Sequence, residues 1–394
     1  MTMIKGEAVR HFEFLDAAAV KRLFHRAPEE FDRTSERDVL AMSLGATLYS
    51  PATRSTIEKD LPAAYRRGVV CSVLCLEDAI ADAEVEYAEK NLVHQLGELF
   101  ESSEPRPLTF VRVRNPEQIG RLVEGLGELA TGLDGIVVPK FTGDTGGSFL
   151  DAVTAASRSL DQRLWVMPVI ESPSVFHLET RVETLLGIRE LLAGHGAEVL
   201  AVRIGATDLS AQLGLRRSPD ITVYDVAPVA AVIGDIVNML GRRDGSGYVV
   251  TGPVWEHFDN RERIFKPQLR ETPFTAQAVR VLRRRMISKG LDGLMREVAL
   301  DHANGLFGKT VIHPSHVPAV HSLSVVSHED YVDALDVLAS SVGGGVSASQ
   351  YRNKMNEASP HFAWAQSTVL RARAFGVARE DVSFVELLEA SVSL

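Results

Sequence analysis

Residues 164–174, LWVMPVIESPS, and residues 199–209, VLAVRIGATDL, are two apolar runs that each close on an acid, Glu171 and Asp208. Both are too short to span a membrane and are rich in Val, Ile and Leu, the pattern of a buried strand. A helical pattern over 179–194 separates them. Strand, helix and strand make a βαβ unit, whose two strands run parallel. Glu171 and Asp208 then share the carboxyl edge of the sheet, where parallel α/β folds bind ligands. Two adjacent carboxylates repel unless something positive lies between them. A hard divalent cation answers that, because Mg2+ takes one or two carboxylates and keeps its other positions for water and substrate. The competing reading is that each acid caps the helix that follows it.

The alternation continues in both directions. Upstream, GATLYSPAT from Gly45, VVCSVLCLEDAI ending in Glu77 and Asp78, PLTFVRVRNP ending near Arg112, Arg114 and Asn115, and LDGIVVPKFT ending at Lys140 read as strands, with helices between them. Downstream, GYVVTGP and GLFGKTVIHPSHV complete a set of eight strands over roughly 280 residues. Eight strands alternating with helices predict a TIM (β/α)8 barrel. A doubly wound sheet would usually carry a Gly-rich phosphate turn, and neither GxGxxG nor GxxxxGK[ST] is present. The expected organisation is an amino-terminal extension over 1–40 that packs on the outside and a barrel over 41–320. A polar, Arg-rich insertion falls at about 256–285, and a helical carboxyl-terminal region covers 321–394. In that last region a Gly/Ser loop, VGGGVSASQ, joins two helices.

Composition narrows the function classes. The chain has 394 residues, 45% hydrophobic and 24% charged, ordinary for a globular protein. Its net charge of −10 argues against a general nucleic-acid or anionic-membrane binder. The two cysteines, Cys71 and Cys75, sit in an apolar strand and read as core residues. The stretch MTMIKGEAVRHFEF lacks the apolar core of a signal peptide, and no run has the length of a membrane helix. The expectation is a cytoplasmic protein.

The polar groups at the predicted strand ends are Glu77, Asp78, Arg112, Lys140, Glu171 and Asp208, with Lys309 and His313 on the last strand. Each has a plain structural alternative: Arg112 could pair with a neighbouring acid, Lys140 could fill the barrel mouth, and His313 could be a helix cap. Their convergence on one edge favours use, since gathering charge there costs stability.

Taken in order, LYSPAT…IEK, VLCLEDAI, VRVRN, GIVVPK, PVIESP, GATDL and GLFGKTVIHPSHV resemble the HpcH/HpaI aldolase and citrate lyase β-subunit family over roughly residues 45–320. The resemblance implies a TIM barrel, a homotrimer or homohexamer, and a Mg2+ ion, with Mn2+ as the alternative. It implies cleavage or formation of carbon–carbon bonds in 2-oxo acids or acyl-CoA thioesters. Position by position, Glu171 and Asp208 match the metal ligands, and Arg112 matches the arginine that holds the substrate carboxylate or oxo group. Glu77 and Asp78 match an acidic pair near the general base. Lys140, Lys309 and His313 match substrate-side positions, and Pro51, Arg54 and Lys59 fall on the loop that CoA-using members place beside the nucleotide.

The implied chemistry is a retro-aldol or retro-Claisen cleavage through an enolate. Mg2+ would serve as Lewis acid, Arg112 as oxyanion partner, and Glu77 or Asp78 as base through water. Cys75 stands where the family usually has Asp, Arg114 is an extra arginine, and KMNEASPH (354–361) replaces the family's M-x-D-x-P-H, with Glu357 nearest the acid that can reach a neighbouring subunit. Two alternatives follow from these departures: acyl-CoA thioester hydrolysis or condensation on the same site, and a non-catalytic barrel subunit within a larger complex.

Overall fold

The computed structural model describes residues 8–258, 291–340 and 345–392. Eight parallel strands close a barrel in chain order: β1 (Ala46–Pro51), β2 (Cys71–Cys75), β3 (Leu108–Arg112), β4 (Gly135–Val138), β5 (Trp165–Ile170), β6 (Ala201–Ile204), β7 (Val249–Trp255) and β8 (Lys309–Val311). β8 pairs back onto β1 through Ala46 and Lys309, Thr47 and Thr310, and Leu48 and Val311. The eight strands and the TIM-barrel expectation hold. Most of the insertion read at 256–285, from residue 259 onward, lies outside the described residues.

Helices ring the barrel because their apolar residues recur on one face. In Val85–Glu101 the buried set is Ala88, Leu92, Gln95, Leu96, Leu99 and Phe100, an i, i+4, i+7 spacing that lays one stripe on the strands. Each leucine so buried contributes about 1.5–3 kcal/mol. Cys71 and Cys75 are free and buried, as expected of core residues.

The amino-terminal extension does more than lie against the outside. Val9, Phe31, Leu40 and Leu44 pack with Cys71, Leu108, Phe110 and Trp165 in one buried cluster, which closes the amino end of the barrel. The Trp165 indole N–H donates to the Arg33 carbonyl at 3.0 Å, and Arg33 pairs with Asp134 at 3.2 Å, pinning the plug to β5 and to the residue before β4. Its segment Phe24–Arg26 also pairs with Val377–Ala378. The two carboxyl-terminal helices are present, His328–Ser340 and Phe362–Phe375. Between them Val346–Ala348 pairs antiparallel with Met355–Glu357, a hairpin where a free loop was expected. Lys354 ties it down through Glu329, Asp330 and Asp333 at 3.0–3.2 Å. Three-residue strands are too short to leave a periodic signal. No helix among the described residues is long and apolar enough to cross a membrane.

Candidate active site

Register decides which side chains meet at the carboxyl-end mouth. Pro51 of β1 aligns with Cys75 of β2, and Cys75 with Arg112 of β3, so these three share the top rung. Arg112 points inward there, and its Nη2 lies 2.5 Å from Glu77 Oε2, 3.0 Å from Asp78 Oδ2 and 3.1 Å from Glu171 Oε1. Lys140 follows β4 with φ +47°, a left-handed conformation that costs a non-glycine residue roughly 1–2 kcal/mol. That turn brings its backbone N–H to Glu171 Oε1 at 3.0 Å, while Nζ reaches Glu77 Oε1 at 2.5 Å and Asp78 Oδ1 at 3.2 Å. Glu171 is 3% exposed and is therefore held from two sides, by Arg112 and by the Lys140 backbone.

The electrostatics follow from burial and crowding. Burial pushes the Glu171 carboxyl up to about 7; Arg112 opposes this and Asp208 adds to it. Asp208 is also raised, by burial and then by Asp78, against the pull of Lys140, Arg112 and a hydrogen bond with Glu171. The two carboxylates predicted from adjacent strand ends are thus in contact. Glu77 and Asp78 diverge. Burial raises Glu77, whereas in Asp78 the effect of burial is outweighed by the hydrogen bond with Glu77 and by the charges of Arg112 and Lys140, and its carboxyl falls below the usual range. Burial would lower Lys140, but Glu77 and Asp78 hold it up at about 12. Gly205, just after β6, leaves the outer face of Glu171 open: a Cβ there would lie 1.9 Å from Glu171 Oε2.

The structure therefore brings together Glu77, Asp78, Arg112, Lys140, Glu171 and Asp208, with Pro51 at the rim. Other candidates go elsewhere. Lys309 is fully buried, and its Nζ lies 2.7 Å from both Glu297 Oε1 and Asp301 Oδ2 on the outer helix Leu291–Ala303. As the first residue of β8 it sits at the barrel's amino end, and its side chain faces outward, opposite in parity to Thr310. Arg54 is bound by Asp60 at 2.6 Å. His313 follows β8 at the mouth edge, with Nδ1 2.7 Å from Ser315 Oγ and its ring stacked on Phe258 at 5.2 Å. Glu357 is exposed on the carboxyl-terminal hairpin, its backbone N–H donating to His361 Nδ1 at 3.0 Å.

Three residues near the cluster had no assigned role from sequence. Arg114 donates to the carbonyls of Leu76 (2.8 Å), Glu77 (3.1 Å) and Ile80 (2.9 Å) and pairs with Asp82 (2.5 Å), so the extra arginine clamps the loop that carries Glu77 and Asp78. Arg203, a charge inside the apolar run AVRI, is 1% exposed in the barrel interior. Tyr49, an unremarkable aromatic in LYSPAT, lies beneath the guanidinium of Arg203 at 5.4 Å. The out-of-place charge in β6 was the available signal.

The sequence profile of the C-C bond lyase family of the TIM-barrel fold matches residues 38–377. The chain belongs to that family. No curated protein matches the sequence. Among solved structures, a citrate lyase from Burkholderia xenovorans LB400 is 16% identical with a TM-score of 0.59, covering 88% of this chain and 96% of its own. The CitE protein of Mycobacterium tuberculosis, in complex with magnesium, acetoacetate and coenzyme A, is 20% identical with a TM-score of 0.51, covering 84% of this lyase-family chain and 99% of its own. At these identities the likeness is one of fold.

Proposed function

We propose that this chain is a Mg2+-dependent carbon–carbon lyase of the citrate lyase β-subunit type, acting on a 2-oxo acid or an acyl-CoA-derived substrate. The contact between Glu171 and Asp208 at the mouth, facing Arg112, carries the reading. The donor set suits Mg2+. It is two hard carboxylates, with no third His, Cys, Asp or Glu among the described residues placed to join them as a ligand. That leaves positions for water and substrate, as Mg2+ prefers, whereas a zinc site would draw on imidazole or thiolate. Mn2+ shares the oxygen preference. When bound, the ion supplies Lewis-acid stabilisation to an oxygen that gains charge.

The chain's own residues do the rest. The Arg112 guanidinium offers a planar fork to the substrate carboxylate or oxo group. Asp78, half-exposed and held below the usual carboxylate range, takes the proton of the substrate hydroxyl, while burial raises Glu77 beside it. Such a divergence between neighbouring carboxyls assigns base and acid. As the carbon–carbon bond breaks, its electrons pass into an enolate whose oxygen faces Arg112. The ligands of the mycobacterial CitE complex are those this reading expects. A homotrimer or homohexamer is the assembly in which Glu357 would reach a neighbour's mouth, and light scattering tests it.

The deciding experiment incubates the protein with Mg2+ and a panel of β-hydroxyacyl-CoA thioesters and 4-hydroxy-2-oxo acids. The expected result is release of a carbonyl fragment that EDTA abolishes and Mg2+ restores. The same activity is lost in Glu171→Gln and Asp208→Asn without change in circular dichroism. Turnover that survives EDTA and both substitutions would refute the proposal. CoA release without carbon–carbon cleavage would move the assignment to thioester hydrolysis. Inactivity across the panel would favour a non-catalytic subunit.

A further inference from the structure

Tyr49 sits on β1 one inward-facing rung below Pro51 and Cys75, in register with Val73. Val73 and Phe110 beside it are fully buried, yet Tyr49 is partly exposed. The amino end of the barrel is closed by Val9, Phe31, Leu40 and Leu44. An inward side chain in a barrel closed below reaches solvent only through the mouth, so the exposed part of Tyr49 looks onto the cluster. Burial raises its hydroxyl above the usual phenol range; Arg203 and then Arg112 oppose this, and Cys75 and Glu171 add to it, so all four lie near enough to act on it. Among the described residues the hydroxyl has no hydrogen-bond partner. It is free to bond a substrate.

Arg203 explains why a phenol would be useful there. Its guanidinium contacts Thr310 Oγ1 at 2.5 Å, Thr47 Oγ1 at 3.4 Å, Met167 Sδ at 3.8 Å and the face of the Tyr49 ring, all neutral. Among the described residues it has no carboxylate partner. A buried cation without a counter-charge is costly, and this one, 5.4 Å over the ring face, pulls the phenol towards ionisation against the larger opposing effect of burial, which leaves the hydroxyl above the usual phenol range.

We propose that the Tyr49 hydroxyl is the proton donor to the carbon released by bond cleavage, with Arg203 as the positioning residue behind its ring. The proposal rests on the lyase reading above. As the carbon–carbon bond breaks, its electron pair enters the enolate. A C–H bond forms at the enolate carbon as the Tyr49 O–H bond breaks. The phenolate, between Arg203 and Arg112, regains a proton from water, and the proton that Asp78 took from the substrate hydroxyl returns to solvent. No electron is gained or lost overall.

The test uses Tyr49→Phe, Arg203→Met and Arg203→Lys in the full chain. Two activities are read: cleavage of the substrate found in the panel, and exchange of the methyl protons of pyruvate or acetyl-CoA in D2O, followed by NMR. Tyr49→Phe should lower kcat and exchange about 100-fold or more, with KM and Mg2+ affinity within about threefold of wild type. Arg203→Met should move the alkaline limb of the kcat–pH profile to higher pH, and Arg203→Lys should restore it. Should Arg203→Met fail to fold, an alkaline limb that persists unshifted in Tyr49→Phe shows that the limb is not the phenol's and removes Arg203 from the scheme. An active wild type with Tyr49→Phe unimpaired in both activities overturns the donor role alone. A wild type that neither cleaves nor exchanges overturns the lyase reading and the donor with it.

Discussion

Replacing Gly205 by alanine should disable metal binding while sparing the fold. The glycine has φ −93° and ψ 74°, a conformation outside the left-handed region, so alanine is not excluded by its backbone. The perturbation is steric and aimed at one group. The new Cβ would lie 1.9 Å from Glu171 Oε2 and 2.5 Å from Glu171 Cβ, where ordinary contact begins at 3.4 Å. The carboxylate must retreat by about 1.5 Å, while Mg2+ holds its oxygens at roughly 2.0–2.1 Å in a near-octahedral shell. Arg112 and the Lys140 N–H anchor the other oxygen, so rotation is opposed as well. Losing the geometry of one of two carboxylates should weaken Mg2+ binding at least about 10- to 100-fold, or roughly 1.4–2.8 kcal/mol. Overpacking costs about 1–3 kcal/mol of stability, partly offset by the roughly 0.4–1 kcal/mol that alanine gains over glycine in the unfolded chain. Calorimetric titration with Mg2+ and a thermal melt measure the two effects separately. Gly147→Ala is the control, since its Cβ would meet nothing within 4 Å. A folded Gly205→Ala protein that binds Mg2+ within about twofold of wild type would refute Glu171 as a ligand.

Further outcomes follow from the same contacts. Glu171 titrates at about 7 before metal binds, so Mg2+ should displace a proton; affinity should rise about tenfold from pH 6 to pH 8, and the binding heat should vary with buffer ionisation. A pH-independent affinity would contradict this. His11 and His316 are buried with pKa values lowered by burial to about 3 and about 4, against 6.5 in the unfolded chain. The folded form disfavours their protonation, so stability is full above about pH 6.5 and falls as pH drops, each group costing about 2 kcal/mol at pH 5; unfolding midpoints that stay level between pH 7.5 and 5 would disprove it. Lys309→Met leaves Glu297 to Arg217 and buried Asp301 with the Tyr224 hydroxyl but no cation, and should cost about 3–5 kcal/mol of stability while leaving Mg2+ affinity unchanged in the protein that folds. Arg114→Lys cannot hold three carbonyls at once and should lower kcat more than it alters KM, because Glu77 and Asp78 lose their support; equal effects on both would favour a purely structural clamp.

From sequence alone, the eight strand-like runs, their alternation with helices and the acids at two strand ends were enough to place Glu171 and Asp208 on one edge. Those inferences depend on local signals: hydrophobic runs of strand length, and the rule that βαβ strands are parallel. Arg112, Glu77, Asp78 and Lys140 were legible for the same reason, each standing just where an apolar run stops.

What chain order could not decide was the direction of side chains and the contacts between distant segments. Lys309 looked like another strand-end charge, but strand parity has meaning only once the strand's first residue and its register are known. Register put it at the amino end facing Glu297 and Asp301, twelve and eight residues earlier in the chain. The closing of the barrel's amino end by Val9 and Phe31, the clamp of Arg114 on carbonyls more than thirty residues upstream, and the burial of Arg203 against Tyr49 all join residues that no local pattern links. Sequence brought Glu77, Asp78, Arg112, Lys140, Glu171 and Asp208 to the mouth. Only the closed barrel, by fixing which faces turn inward, decided that Glu171 meets Asp208 and that a buried guanidinium lies over the ring of Tyr49.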